Sequence, residues 1–183
     1  MSGRVLATIA VALLFTACSS SSARPSPSVL LPAVGAGYHE ATASGPLSQD
    51  ALTVATAVPK ASMASYLSQA SLRSAGERVW TSTTDGFVTD IVATFTSAAD
   101  AVGLVQLAAT TLPGPASRAF SPPGVPGARG FVQTSDVAGK TMFCVIAFAP
   151  SGVQAFIVTR CTPYPQDTVT LSTLLTQQMA RAA

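Results

Sequence analysis

Charge is scarce in this chain: Asp, Glu, Lys and Arg make up only 10% of its 183 residues, low for a domain that meets water. Ten Lys and Arg stand against eight Asp and Glu, so no basic footprint for a phosphate backbone exists and nucleic acid is not expected as a partner. Histidine is scarcer still. The single one, His39, lies in a Ser-, Pro- and Gly-rich stretch. A Ser-His-Asp triad or a histidine metal site is thereby removed from the folded region, and a thiol nucleophile lacks its usual base. Gly-x-Ser-x-Gly, Ser-x-x-Lys, His-Glu-x-x-His and Cys-x-x-Cys are all missing. Gly124, Gly127 and Gly130 recur in threes but precede no helix, so they make no phosphate loop. Asp85, Asp100 and Asp167 fall at a turn, a cap and a helix start, and only Asp90 sits inside an apolar strand pattern. A glycosidase pair built on it is disfavoured. The expectation is a protein without catalytic machinery, metal or cofactor.

Long apolar runs are missing too, with one exception. Beyond Phe15 no stretch approaches the roughly 18 residues needed to span a bilayer. The exception is the start, MSGRVLATIAVALLFTAC, where Arg4 gives a basic opening, Val5 to Phe15 is uncharged and apolar, and Thr16-Ala17 precede Cys18. This is the layout of a secretory leader. Its last residues resemble the lipobox of bacterial lipoproteins, in which the cysteine is acylated and the chain is cut just before it; Phe15 departs from the usual Leu, Val or Ile. That resemblance implies residues 1–17 as leader, Cys18 as the lipidation site, and the outer face of the cytoplasmic membrane as location. Diacylation plus N-acylation suffices for stable attachment. Loss of Arg4 would leave the mature chain almost neutral.

Residues 18–46 read as a tether, with no sustained periodicity. As a flexible chain it would hold the domain about 30 Å from the bilayer. Val29-Leu30-Leu31 is a small apolar patch within it, read as touching lipid headgroups or nothing at all, the second being preferred. Residues 47–183 read as a single domain. Leu52 to Val58 suits either a short strand or an opening helix. Ser62 to Ala75 reads as a helix, followed by strands at Arg78–Thr81 and Phe87–Phe95 around Thr84-Asp85-Gly86. Uneven alternation in the second suggests a bulge near Ala93-Thr94. Ser97 to Leu112 is the most secure helix, with Ser97 and Asp100 spaced as a capping box. Strands at 131–134, 141–149 and 153–161 follow, then a helix from Asp167 or Thr168 with Leu171, Leu174, Leu175 and Met179 on one face. The class is α+β: a mainly antiparallel sheet of about five strands packed with two to three helices.

Cys144 and Cys161 remain for an oxidising compartment, an even pair that invites a disulfide. Hairpin geometry argues the other way. A three-residue Pro150-Ser151-Gly152 loop points the two cysteines to opposite faces, and a two-residue Ser-Gly loop makes them diagonal neighbours. Compartment is given the greater weight, with the chain bending after Cys161 at Thr162-Pro163. Both faces of this hairpin are apolar, which makes it a central pair of the sheet.

Residues 113–130 are the best recognition candidate. Pro122-Pro123-Gly124-Val125-Pro126 favours an extended polyproline path, with Arg118, Phe120, Pro123, Pro126 and Arg129 as contact residues. The alternative, a loop that covers one sheet edge, is the commoner use of such a segment. Trp80 is assigned to the core.

Three features occur together: the lipobox with its Ser/Pro tether, the run from Trp80 through Gly86-Phe87 into the Ser97–Leu112 helix, and Val125-Pro126-Gly127 before a hairpin and a terminal Gln-containing helix. The combination is similar to small actinobacterial, including mycobacterial, envelope lipoproteins of uncharacterised function, and eight Arg against two Lys fit such a source. The hairpin CVIAFAPSGVQAFIVTRC resembles the C-terminal hairpin of the extracellular sensor domain of mycobacterial serine/threonine kinases, an α+β sandwich thought to bind a ligand. That family's upstream cysteine pair is missing here. The resemblances imply a lipid-anchored, non-catalytic domain for binding or envelope support, with an envelope protein as partner. The other possibility is a carrier of lipid or another apolar ligand, its cavity bounded by Ala99, Ala101, Ala108, Ala109, Ala147 and Ala155.

Overall fold

Apolar side chains on both faces of three long segments generate the centre of one antiparallel sheet. The computed structural model describes residues 29–113, 117–165 and 168–182; the leader, Cys18 and Asp167 lie outside them. The chain runs β1 (His39–Glu40), β2 (Gly45–Leu47), α1 (Gln49–Ala55), α2 (Lys60–Leu67), β3 (Leu72–Ser82), β4 (Gly86–Phe95), α3 (Ala98–Thr111), β5 (Ser117–Phe120), β6 (Arg129–Val137), β7 (Lys140–Ser151), β8 (Gln154–Thr162) and α4 (Thr168–Ala182). The class is α+β. The sheet has eight strands, not about five, in the order β1-β3-β4-β8-β7-β6-β5, with β2 also on β3. The added strands β1, β2 and β5 are too short to show alternation; pairing with a long neighbour makes them strands.

Strand alternation splits the core in two. Ile91, Ala93, Phe95, Ile146, Phe148, Ala155 and Ile157 face one side, where Leu52 of α1, Met63 and Leu67 of α2 and Ala101, Leu104, Val105 and Ala108 of α3 cover them. Trp80, Val88, Val92, Val145, Ala147, Phe156 and Val158 face the other, beneath Leu171, Leu174 and Leu175 of α4. Ala101 and Ala108 let α3 lie close on the sheet, while Ala99 is exposed. Among the described residues no helix is long and apolar enough to cross a membrane.

Several expectations shift by a turn or a register. Residues 49–55 resolve as helix, and Ser48 Oγ accepts the Ala51 N–H. α2 starts at Lys60 and ends at Leu67, short of Ala75, because residues 72–82 pair along nearly all of β4. Non-local pairing there outweighs local helical periodicity. β4 carries no bulge; the irregularity lies between Leu72 and Ser74 of β3, opposite Phe95 and Thr94. Ser97 Oγ caps α3 by accepting the Asp100 N–H at 3.1 Å, but the Asp100 carboxylate accepts from Ser71 N–H at 3.4 Å in place of closing the box.

Part of the stretch expected as a tether is packed on the domain. Residues 29–46 lie on the domain, with Leu30 and Leu31 in the α4-side core and β1 and β2 on the edge of β3. Local sequence hid this because the partners are some fifty residues away.

Candidate functional site

The strap formed by residues 29–40 is fastened by a polar group set into the α4-side core. Asp90 of β4 is fully buried among Val88, Val92 and their neighbours. Its Oδ2 accepts the Leu31 N–H at 2.6 Å, and its Oδ1 accepts from Nε2 of Gln178 on α4. Arg78, the cross-strand partner of Asp90, donates from Nη1 to the Leu31 carbonyl at 2.9 Å. Its Nε lies 3.4 Å from Oε1 of Glu40. Both main-chain polar groups of one residue are thus held by a pair of opposite charges. Burial pushes the Asp90 carboxyl up to about 7, with the Leu31 N–H, Arg78, Gln178 and Arg181 pulling the other way. Farther along, the Tyr38 hydroxyl donates to the Asp85 carbonyl at 3.1 Å, and the Tyr164 hydroxyl to the Asp85 carboxylate.

Gln178 is buried, and its Oε1 has no hydrogen-bond partner among the described residues. On the opposite face Glu77, half-buried and paired with Ile91 of β4, is likewise pushed up to about 7 by desolvation.

Asp90 was visible in sequence as an acid amid β-branched residues, and Arg78 stood beside Trp80. Their pairing was not visible. It depends on the β3–β4 register, and Leu31 and Gln178 come from opposite ends of the chain.

The proline-rich segment does cover the sheet, but with a different set of residues. Pro122, Val125 and Ala128 are buried, Val125 and Ala128 within the α4-side core, whereas Pro123 and Pro126 are exposed. Phe120 is half-buried and lies over Gly130, where a Cβ would come within 2.3 Å of its ring. Arg118 pairs in register with Val132 and Arg129 with Phe148, residues of opposite sheet faces, so the two arginines do not converge. Arg129 Nη1 donates to the neighbouring Ala128 carbonyl at 3.1 Å. Pro123 borders a groove with Val169, Ser172, Thr173, Thr176 and Gln177 of α4. Its volume of about 210 Å³ is below the usual range of small-molecule sites.

Cys144 and Cys161 form a disulfide. The register differs from both alternatives. Ser151 pairs with Gln154, leaving Gly152-Val153 as a two-residue turn with Gly152 at φ 53°, the first position of a type II′ turn. The cysteines then stand directly opposite, Cα atoms 4.1 Å apart, as in a non-hydrogen-bonded pair. No bend at Thr162-Pro163 is needed to join them. Pro150 is tolerated inside β7 because β6 pairs only as far as Phe148, so no ladder bond is lost. Among the described residues no His, Cys, Asp and Glu group could hold a metal ion.

No family model matches the chain, and no curated protein matches it in sequence. Among solved structures, the fold is similar to the extracellular domain of PknH from Mycobacterium tuberculosis, at 13% identity and a TM-score of 0.46, over 63% of this chain and 69% of that one. No residue role is carried over from it.

Proposed function

We propose that this chain is a non-catalytic binding domain, held by a lipid on Cys18 at the outer face of the cytoplasmic membrane. The Cys144–Cys161 disulfide carries the reading, since such a bond persists in oxidising compartments and is rare inside cells. The leader-like start and the small residues before Cys18 support export and acylation.

The ordered strap changes the geometry of attachment. The chain from Cys18 to Val29 reaches at most about 40 Å when fully extended. The domain therefore works close to the bilayer, with the end of the strap as its nearest fixed point.

Cys18→Ala tests the assignment. Wild-type protein should partition into detergent and carry a lipid-sized mass increment at Cys18, and the variant should do neither. Equal detergent partitioning of both, without that increment on the wild type, would remove the anchor.

A further inference from the structure

The strap is packed as a ligand is packed. Residues 29–34 form no strand; they lie on the α4 side of the sheet. Leu31 presents only its main-chain N–H and C=O to the charged pair, and every residue except proline offers both groups. Asp90 and Arg78 therefore read backbone, not sequence. Sequence is read by packing. Leu30 and Leu31 are 5% and 1% exposed, in one cluster with Trp80, Val88, Leu174 and Leu175. Pro32 holds Leu31 in the extended region that such contacts need.

Permanent attachment would not require this arrangement. Burying an acid beside a guanidinium costs desolvation, and apolar residues of the same volume hold a fixed segment as well or better. The buried Oε1 of Gln178 is a further acceptor with no donor among the described residues, on the side chain that already binds Asp90. Unsatisfied buried acceptors are rare in a finished core and expected where another ligand donates.

We propose that the cleft between the β3–β4 hairpin and α4 is a binding site for an extended peptide with two consecutive aliphatic side chains, and that residues 29–34 are its displaceable internal occupant. Asp90 and Arg78 hold the main chain of the second aliphatic residue, and the core around Trp80 takes both side chains. Gly35 and Gly37, both with positive φ and open space around them, join residues 29–34 to β1 and let that end of the strap swing out. A partner's peptide then competes with the tether itself, and its binding frees the strap from the domain. The inference deepens the binding-domain reading by naming a ligand class. Its test uses unanchored protein, so failure of the anchor and failure of the site are read apart.

The test uses the chain from residue 18 onward, carrying Cys18→Ser, and a fluorescent peptide spanning residues 27–36 as probe. Leu30→Ser with Leu31→Ser in the protein weakens the internal occupant and leaves the cleft intact. This variant should bind the probe at least about ten-fold more tightly than the parent, because the competent fraction rises. Adding Arg78→Met, or placing serines at both leucine positions of the probe, should reverse the gain. A variant that melts cooperatively yet binds no better than the parent overturns the proposal, as does equal binding of the serine probe.

Hydrogen exchange on the parent protein covers the case in which the variant does not fold. Excess unlabelled peptide should accelerate exchange at the Leu31 amide while the β7 and β8 amides stay protected. Exchange at Leu31 that peptide leaves unchanged overturns the proposal as well.

Discussion

A side chain on Gly86 would collide with Cys161: an ideal Cβ there lies 2.0 Å from the Cys161 carbonyl oxygen. Gly86 also has φ 86°, at the end of the turn between β3 and β4. Neither the backbone conformation nor the space admits alanine. Gly86→Ala should therefore destabilise the domain by about 2–3 kcal/mol, measured by urea denaturation. Gly45→Ala, with nothing within 4 Å of its Cβ, is the control and should cost less than about 1 kcal/mol.

The disulfide closes a sequence separation of 17 residues. The chain-entropy model assigns about 3 kcal/mol to such a loop, a large share of the stability of an ordinary domain. Reduction should lower the melting temperature by several degrees or more. Alkylation of the unfolded, unreduced protein should add nothing at Cys144 or Cys161; two added groups would show free thiols.

Stability should fall as pH rises toward neutrality. Asp90 and Glu77 each rise in the folded state to about 7, burial being the main cause, above unfolded values of about 4. A carboxyl raised on folding contributes stability that is complete below its unfolded pKa and lost as pH rises through the folded one. The melting temperature should decline from about pH 4 to about pH 7 on this account and flatten above it. Asp90→Asn keeps an oxygen for the Leu31 N–H and cannot ionise. It should leave only the part of the slope due to Glu77, and an unchanged slope would contradict this assignment.

Two residues expected to recognise a partner should behave differently from each other. Phe120 is half-buried against the α4-side core and covers Gly130, so Phe120→Ala should cost about 1–2 kcal/mol. Arg118 is exposed, and Arg118→Ser should stay within about 0.5 kcal/mol of wild type. Equal melting temperatures for Phe120→Ala and wild type would return Phe120 to the list of free surface residues.

Leu31 stands against any Leu-to-Ala expectation drawn from a solvated tether. It is almost fully buried, and Leu31→Ala should destabilise by about 2–4 kcal/mol in urea denaturation. A change below about 0.5 kcal/mol, with Trp80 emission unaltered, would show that the Leu31 side chain contributes little to the core.

Much was legible where the signal is local. The Ser97 cap, the leucine face of α4 and the doubly apolar strands of the 140–162 hairpin follow from spacing along the chain, because cap, helix and strand are each set by residues a few positions apart. The α+β class follows from their order, and the cysteine pair from its likeness to an exported protein's usage. Tertiary structure decided the rest. Whether Cys144 meets Cys161 depended on a one-turn choice at Gly152, which moves every cross-strand pair in the hairpin. Residues 29–34 carry no periodicity, yet two leucines among them complete a core because Asp90, Arg78 and α4 leave a cleft of that shape. Pairing of charges from different strands with the backbone of a distant segment has no local signature. Only the folded sheet brings Arg78, Asp90 and Leu31 within hydrogen-bond distance.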